Sequence, residues 1–97
     1  MTDPHDTQRK KLRIRAWRRG FKEADLILGR FCDDHVGAMT ADELDMFERL
    51  LDQADQDLYG WIIERAPTPA EFEGPVMDRI KAYRPHADAA YGDGPKA

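Results

Sequence analysis

Arg18-Arg19-Gly20-Phe21-Lys22-Glu23-Ala24-Asp25-Leu26-Ile27-Leu28-Gly29-Arg30-Phe31 joins a basic helical run to an apolar one through a single glycine. Glycine takes positive φ without steric penalty, so Gly20 can turn the chain out of the first helix. The run that follows is amphipathic. At about 100° per residue, Phe21, Ala24, Leu28, Phe31, Cys32 and His35 share one face. Arg19, Glu23, Leu26 and Arg30 fall together on the other side. The first stripe is expected to be buried and the second displayed. A displayed stripe that carries both charge signs and an apolar residue is a candidate partner surface. A simpler reading is a solvated face with an Arg19–Glu23 pair at i,i+4.

Working outward, residues 1–5 carry no pattern and are expected to be disordered. The polar, Arg/Lys-rich run over 7–19 favours helix, with Asp6 as its N-cap. Leu12 and Ala16 make one short apolar stripe of this helix. Ile14 and Trp17 make another that leads toward Phe21, and Trp17 is large enough to anchor the helix in the core. The second helix spans about 20–36 and ends near Gly37. Gly29 inside it costs roughly 1 kcal/mol against alanine, which points to close packing with a neighbouring helix.

Thr40-Ala41-Asp42-Glu43 is a capping box, in which each side chain satisfies the other residue's backbone N–H. The third helix begins there, with a buried stripe of Leu44, Phe47, Leu50, Leu51 and Ala54, and with Met46 and Arg49 off it. Asp55 reads as the N-cap of a short fourth helix, where Leu58, Trp61 and Ile62 share a face. Ala66-Pro67-Thr68-Pro69 ends that helix, and Thr68 with Glu71 can cap a single turn. Pro75 suits the first position of a last helix over 75–84, which returns Phe72, Val76, Ile80 and Tyr83 to the core. The Gly/Ala/Pro/Asp-rich segment 85–97 is expected to be disordered. Short connections between singly striped helices give an all-α fold, a compact five-helix bundle forming a single domain over residues 6–84.

A chain of 97 residues builds a core too small for a large enclosed active-site cavity. Residues 1–30 hold nine Lys/Arg against four Asp/Glu, whereas residues 31–97 hold six against fifteen. The basic end invites a nucleic-acid reading, but the chain carries a net charge of −4, which repels a polyanion, and it has no interleaved aromatic platform. The single cysteine, Cys32, excludes an internal disulfide and lies on the buried stripe, as does His35. That argues against a Cys/His catalytic pair. The acidic set Asp42, Glu43, Asp45, Asp52, Asp55 and Asp57 matches no calcium-loop spacing and is explained by helix N-termini, so no metal site is expected. There is no phosphate-binding glycine loop, no dinucleotide fingerprint and no nucleophile triad. No apolar run is long enough to span a membrane and no signal peptide is evident, so a cytoplasmic protein is expected.

Arg19-Gly20-Phe21-Lys22-Glu23 resembles the RGxxE motif of the SdhE family, the flavinylation factors for the flavoprotein subunit of succinate dehydrogenase, related to the mitochondrial succinate dehydrogenase assembly factor. The context is similar too. The basic helix with Trp17 precedes the motif, and Glu23-Ala24-Asp25-Leu26-Ile27-Leu28 and Phe31 follow it. Then come Phe47-Glu48-Arg49-Leu50-Leu51, Asp55-Gln56-Asp57-Leu58-Tyr59-Gly60-Trp61 and a proline-broken last helix, so that the resemblance covers about residues 12–84. It implies a non-enzymatic FAD assembly factor, a chaperone that binds the flavoprotein subunit and promotes covalent attachment of its FAD to a histidine. It also implies action on the related fumarate reductase flavoprotein where one is present. Arg19, Gly20 and Glu23 carry over as partner-binding residues, while Leu26 and Arg30 join them from the helical projection. The chain itself is expected to hold no FAD stably and to be a monomer when free. The alternative from the residues is a regulatory binding module, such as the antitoxin of a toxin–antitoxin pair or a small nucleic-acid binder using the first helix.

Overall fold

Five stretches with helical periodicity become five α-helices in the computed structural model, which describes residues 4–93, with side chains through residue 84. They are α1 (Asp6–Trp17), α2 (Lys22–His35), α3 (Ala41–Leu51), α4 (Asp55–Ile62) and α5 (Pro75–Asp93), with 3-10 turns at Val36–Ala38 and Ala70–Phe72. No strand occurs among the described residues. The all-α bundle expected from the sequence is the fold observed.

The central element is α2, which packs against α1 on one side and α5 on the other. A helix between two neighbours buries more than one stripe, so Ile27 and Gly29 are buried together with Ala24, Leu28, Phe31 and Cys32. Opposite them, α3 contributes Leu44, Phe47, Leu50 and Leu51, and the Phe31 and Phe47 rings meet edge to face at 5.7 Å. From the C-terminal half, Leu58, Ile62, Phe72, Val76, Met77 and Ile80 close the core. Trp61 is half-buried and stacks on Phe72 with centroids 5.3 Å apart. Tyr83 packs against the core edge and its hydroxyl donates to the Asp34 carboxylate. Burial and that carboxylate push the phenol up to about 12.

Local chemistry explains most helix ends. The capping box is present: Glu43 N–H donates to Thr40 Oγ1 at 3.2 Å and Thr40 N–H donates to Glu43 Oε1 at 3.0 Å. The Thr40 amide, aided by Arg79, holds the Glu43 carboxyl below its usual value. Three expected caps are not made. The N-cap of α1 is His5, without a side-chain bond, and Asp6 lies in the first turn. The N-cap of α4 is the exposed Ala54, because the Asp55 carboxylate is engaged elsewhere. The Thr68 hydroxyl is buried without a hydrogen-bond partner and does not cap the turn beginning at Ala70.

Composition alone ends the last helix at residue 84 and leaves 85–97 disordered, but the backbone is helical to Asp93. Pro85 removes one backbone bond, at about 3 kcal/mol, without stopping a segment that continues into the strong helix formers Ala87, Ala89 and Ala90. Residues 1–3 and 94–97 lie outside the described residues, and Pro4 and His5 form a turn.

The C-terminus of α4 closes through a Schellman pair. Arg65 N–H donates to the Gly60 carbonyl at 2.8 Å and Glu64 N–H to the Trp61 carbonyl at 3.1 Å. The left-handed position of this motif is Glu64, with φ 62°, where an L-residue costs roughly 1–2 kcal/mol relative to glycine. Glu64→Gly is therefore expected to stabilise the fold by roughly 0.5–1 kcal/mol after the added unfolded-state entropy is subtracted. Urea unfolding reads this as a higher midpoint at constant slope, and an unchanged or lower midpoint would refute it.

Candidate functional site

The junction between α1 and α2 begins at Arg18, where φ −124° and ψ 41° leave the helical region. Gly20 takes φ 85°, and a Cβ placed there would meet nothing within 4 Å. Inside the chain, then, the glycine is required by backbone conformation and not by crowding. Phe21 is extended, with φ −125° and ψ 101°. Its ring packs on Tyr59 at 4.7 Å and ties the junction to α4. The Asp25 carboxylate folds back to accept the Arg19 backbone N–H at 3.0 Å.

Arg19 is not on a displayed stripe. Its side chain is only 7% exposed and runs inward to the turn between α3 and α4. There Nη1 donates to the Leu51 carbonyl at 2.7 Å and Nη2 to the Gln53 carbonyl at 2.6 Å. Nε faces Asp55 Oδ1 at 2.7 Å as an ion pair without hydrogen-bond geometry. A planar guanidinium fits this set of two carbonyls and a carboxylate, whereas an ammonium supplies only a point charge. The helical projection fails for Arg19 because residues 18–21 are not helical, so 100° per residue does not carry across the junction. The simpler expectation of an Arg19–Glu23 pair fails for the same reason.

Glu23, in the first turn of α2, is exposed and takes no side-chain partner among the described residues. Leu26 and Arg30 follow at i+3 and i+7 and are half-buried. Arg30 lines a cleft of about 270 Å³ with Trp17, Asp33, Asp34 and Tyr83, and its Nε is buried without a hydrogen-bond partner. Of the five expected site residues, the structure thus leaves Gly20 and Glu23 open to solvent and Leu26 and Arg30 partly so. It withdraws Arg19 into the fold.

Gly29 has the close neighbour its presence in a helix implies. A Cβ there would fall 2.3 Å from Trp17 Cδ2 and 2.4 Å from Cε2, so the indole lies directly on the α2 backbone. Trp17 Nε1 donates to Asp33 at 3.2 Å. Ile14, by contrast, is 55% exposed and takes no part in the core stripe expected of it. Asp25 and Asp55 are the residues of this site that the motif does not indicate. Only their positions six residues after Arg19 and at the start of α4 hint at their partners.

Burial pushes the Cys32 thiol up to about 11, which suppresses the thiolate. The His35 ring is stacked on Phe31 at 4.8 Å and meets the edge of Tyr83 at 5.5 Å. Among the described residues no group of three or more His, Cys, Asp or Glu is placed to hold a metal ion. No described helix is long and apolar enough to cross a membrane.

A family model described as "Flavinator of succinate dehydrogenase" matches residues 10–84, from the second turn of α1 into α5. The chain belongs to the succinate dehydrogenase flavinator family. Among its relatives, succinate dehydrogenase assembly factor 2, mitochondrial, of Dictyostelium discoideum is 37% identical over 73 residues, covering 75% of this chain and 52% of that protein. The FAD assembly factor SdhE of Acetobacter pasteurianus is 36% identical over 73 residues, covering 75% and 67%. The mitochondrial assembly factor 2 of Danio rerio is 31% identical over 85 residues, covering 86% and 54%. The chain spans about half the length of the mitochondrial relatives it matches. As in the sequence resemblance, the flavinator match includes the whole Arg19–Glu23 motif, the Arg19 clamp and the Trp17–Gly29 crossing.

Proposed function

We propose that this chain is an assembly factor that binds the flavoprotein subunit of succinate dehydrogenase and promotes covalent attachment of FAD to it, acting likewise on a fumarate reductase flavoprotein where one is present. The observation that carries this reading is a flavinator-family chain whose motif glutamate, Glu23, stands exposed and unpaired beside a rigidly held turn. A charged side chain with no intramolecular partner keeps its full capacity for a charge-assisted bond to another protein.

The role is that of a helper and not of an enzyme. Forming a covalent bond between flavin and protein needs a bound cofactor, an oriented nucleophile and stabilised developing charge, all of which the flavoprotein supplies once its conformation is set. A chaperone that binds the productive conformer better than the others raises the rate by shifting that population. Gly20 and Glu23 make the contact, Leu26 and Arg30 extend it along α2, and Arg19 holds the turn from behind. The chain works in the compartment that holds the unassembled flavoprotein, the cytoplasm. It binds there as a monomer and does not retain FAD.

Glu23→Ala and Leu26→Ala are expected to keep the thermal midpoint, since surface changes usually stay within about ±0.5 kcal/mol. They should also reduce covalent flavin on the flavoprotein by about tenfold or more, as expected for contacts worth ~1.4 kcal/mol or more. In-gel flavin fluorescence of the flavoprotein from cells carrying each variant measures this directly. Wild-type covalent flavin with both variants would remove this face from the mechanism.

A further inference from the structure

The Arg18 N–H makes the last bond of α1, to the Arg15 carbonyl at 3.3 Å, and α2 begins at Lys22. In between, the Gly20 and Phe21 amides donate no backbone hydrogen bond among the described residues. The N-cap, Phe21, also brings no side-chain acceptor to the first turn of α2. Two contacts remain to fix that turn. One is the Phe21 ring on Tyr59 at 4.7 Å. The other is Asp25, which grips both flanks of Gly20. Its Oδ1 accepts the Arg19 N–H at 3.0 Å, and its own N–H donates to the Phe21 carbonyl at 2.8 Å. Arg19 is in turn tied through its side chain to the Leu51 and Gln53 carbonyls. Asp25 therefore completes a continuous path from the turn between α3 and α4, through Arg19, to the first turn of α2, where Glu23 stands.

We infer that Asp25 is a positioning residue for the motif glutamate: its carboxylate fixes the start of α2 to the Gly20 turn and thereby aims Glu23 at the flavoprotein. The inference rests on the function proposed above and adds to it a residue that the motif does not contain. Residues two apart on a helix differ by about 200° in direction, so Asp25 faces back to the turn while Glu23 points away from it. Asp25 is half-buried and Glu23 exposed, as that division requires. The bond uses Asp25 as an acceptor and not as a charge, since its partner is an amide and no cation pairs with it among the described residues. A neutral side chain with a carbonyl oxygen in the same place serves equally well. Without any acceptor, the turn is free to sample other orientations about Gly20, because glycine imposes few steric limits. Glu23 must then be ordered at the moment of binding, and that cost is subtracted from the contact it makes.

The test is the rate of covalent flavin formation on the purified flavoprotein subunit of succinate dehydrogenase, supplied with FAD and with wild-type chain, Asp25→Ala, Asp25→Asn, Glu23→Ala or the double variant Glu23→Ala with Asp25→Ala, well below their thermal midpoints. Asp25→Ala should slow flavinylation by about three- to tenfold, the range that one net hydrogen bond allows. Its thermal midpoint should fall by no more than about 8 °C. Asp25→Asn should stay within about twofold of the wild-type rate, because its amide oxygen can still accept the Arg19 N–H. In the Glu23→Ala background Asp25→Ala should cause no further loss, since a residue that acts through Glu23 has nothing left to aim. Amide hydrogen exchange gives a second reading: the Arg19 N–H should be protected in wild type and in Asp25→Asn, and released in Asp25→Ala. A wild-type rate with Asp25→Ala, an Asp25→Asn as slow as Asp25→Ala, or additive losses in the double variant would overturn the inference. So would an unprotected Arg19 amide in the wild-type chain, even if Asp25→Ala does not fold. Slow flavinylation with Glu23→Ala and a normal rate with Asp25→Ala defeats this inference alone and leaves the proposed function standing. A wild-type chain that does not promote flavinylation at all removes both.

Discussion

Arg19→Met should lower the thermal midpoint of the isolated protein by at least about 10 °C, before any partner is considered. Removing the guanidinium leaves the Leu51 and Gln53 carbonyls without their donors and Asp55 without its cation. Methionine fills much of the volume but supplies no donor. Stranding part-buried acceptors costs up to about 1–3 kcal/mol per group, and breaking the ion pair adds to it. Asp55 is 38% exposed and can rehydrate, which discounts its share. A total of ~2–4 kcal/mol follows, and a domain of this size loses about 4–8 °C per kcal/mol. Arg19→Lys should recover little of this, because a single ammonium does not reproduce the two spread donors that reach both carbonyls. Asp55→Asn should cost less than Arg19→Met, since both carbonyl bonds survive. Flavinylation should fall with Arg19→Met and recover when cells are grown cooler, whereas the loss with Glu23→Ala should not depend on temperature in this way. An unchanged midpoint for Arg19→Met with binding abolished would return Arg19 to the partner interface.

The contrast between Arg19 and Glu23 also marks what the sequence makes legible. The α3 N-terminus is readable because its two hydrogen bonds span three residues, and its buried leucines recur at a helical period. Arg19 reaches carbonyls 32 and 34 residues away, a relation that no local pattern encodes. The same interaction takes Asp55 from the capping role its position suggests. Ile27 escapes a single-stripe projection because α2 lies between two helices and buries both sides. Ile14 shows the opposite failure. In a helix so rich in charge, the positions of Leu12 and Ala16 fix the buried side, and Ile14 is turned outward by their geometry. Five residues of motif indicate the family, but they do not separate Arg19, which holds the turn, from Glu23, which is left exposed to solvent.

Gly29→Ala carries the second large effect, and its sign should reverse with the residue opposite. On an isolated helix the change gains about 1 kcal/mol, because alanine has the better propensity. In the folded protein the new methyl would sit 2.3 Å from Trp17 Cδ2, well inside contact distance. The indole or the whole of α1 must then move outward. Overpacking of this kind costs about 1–3 kcal/mol, and the Trp17–Asp33 hydrogen bond is lost as the ring swings away. Crowding therefore outweighs propensity, and Gly29→Ala should lower stability by ~1–2 kcal/mol. Trp17→Leu opens the space above residue 29, at a cost of its own. In that background Gly29→Ala should become neutral or stabilising, giving an interaction energy of at least about 1 kcal/mol in a double-mutant cycle. Urea unfolding of the four proteins supplies the cycle, and tryptophan emission of Gly29→Ala reports whether the indole has moved into water. Additive single effects, with Gly29→Ala destabilising equally beside leucine, would mean that the glycine serves the α2 backbone itself and not the crossing with α1.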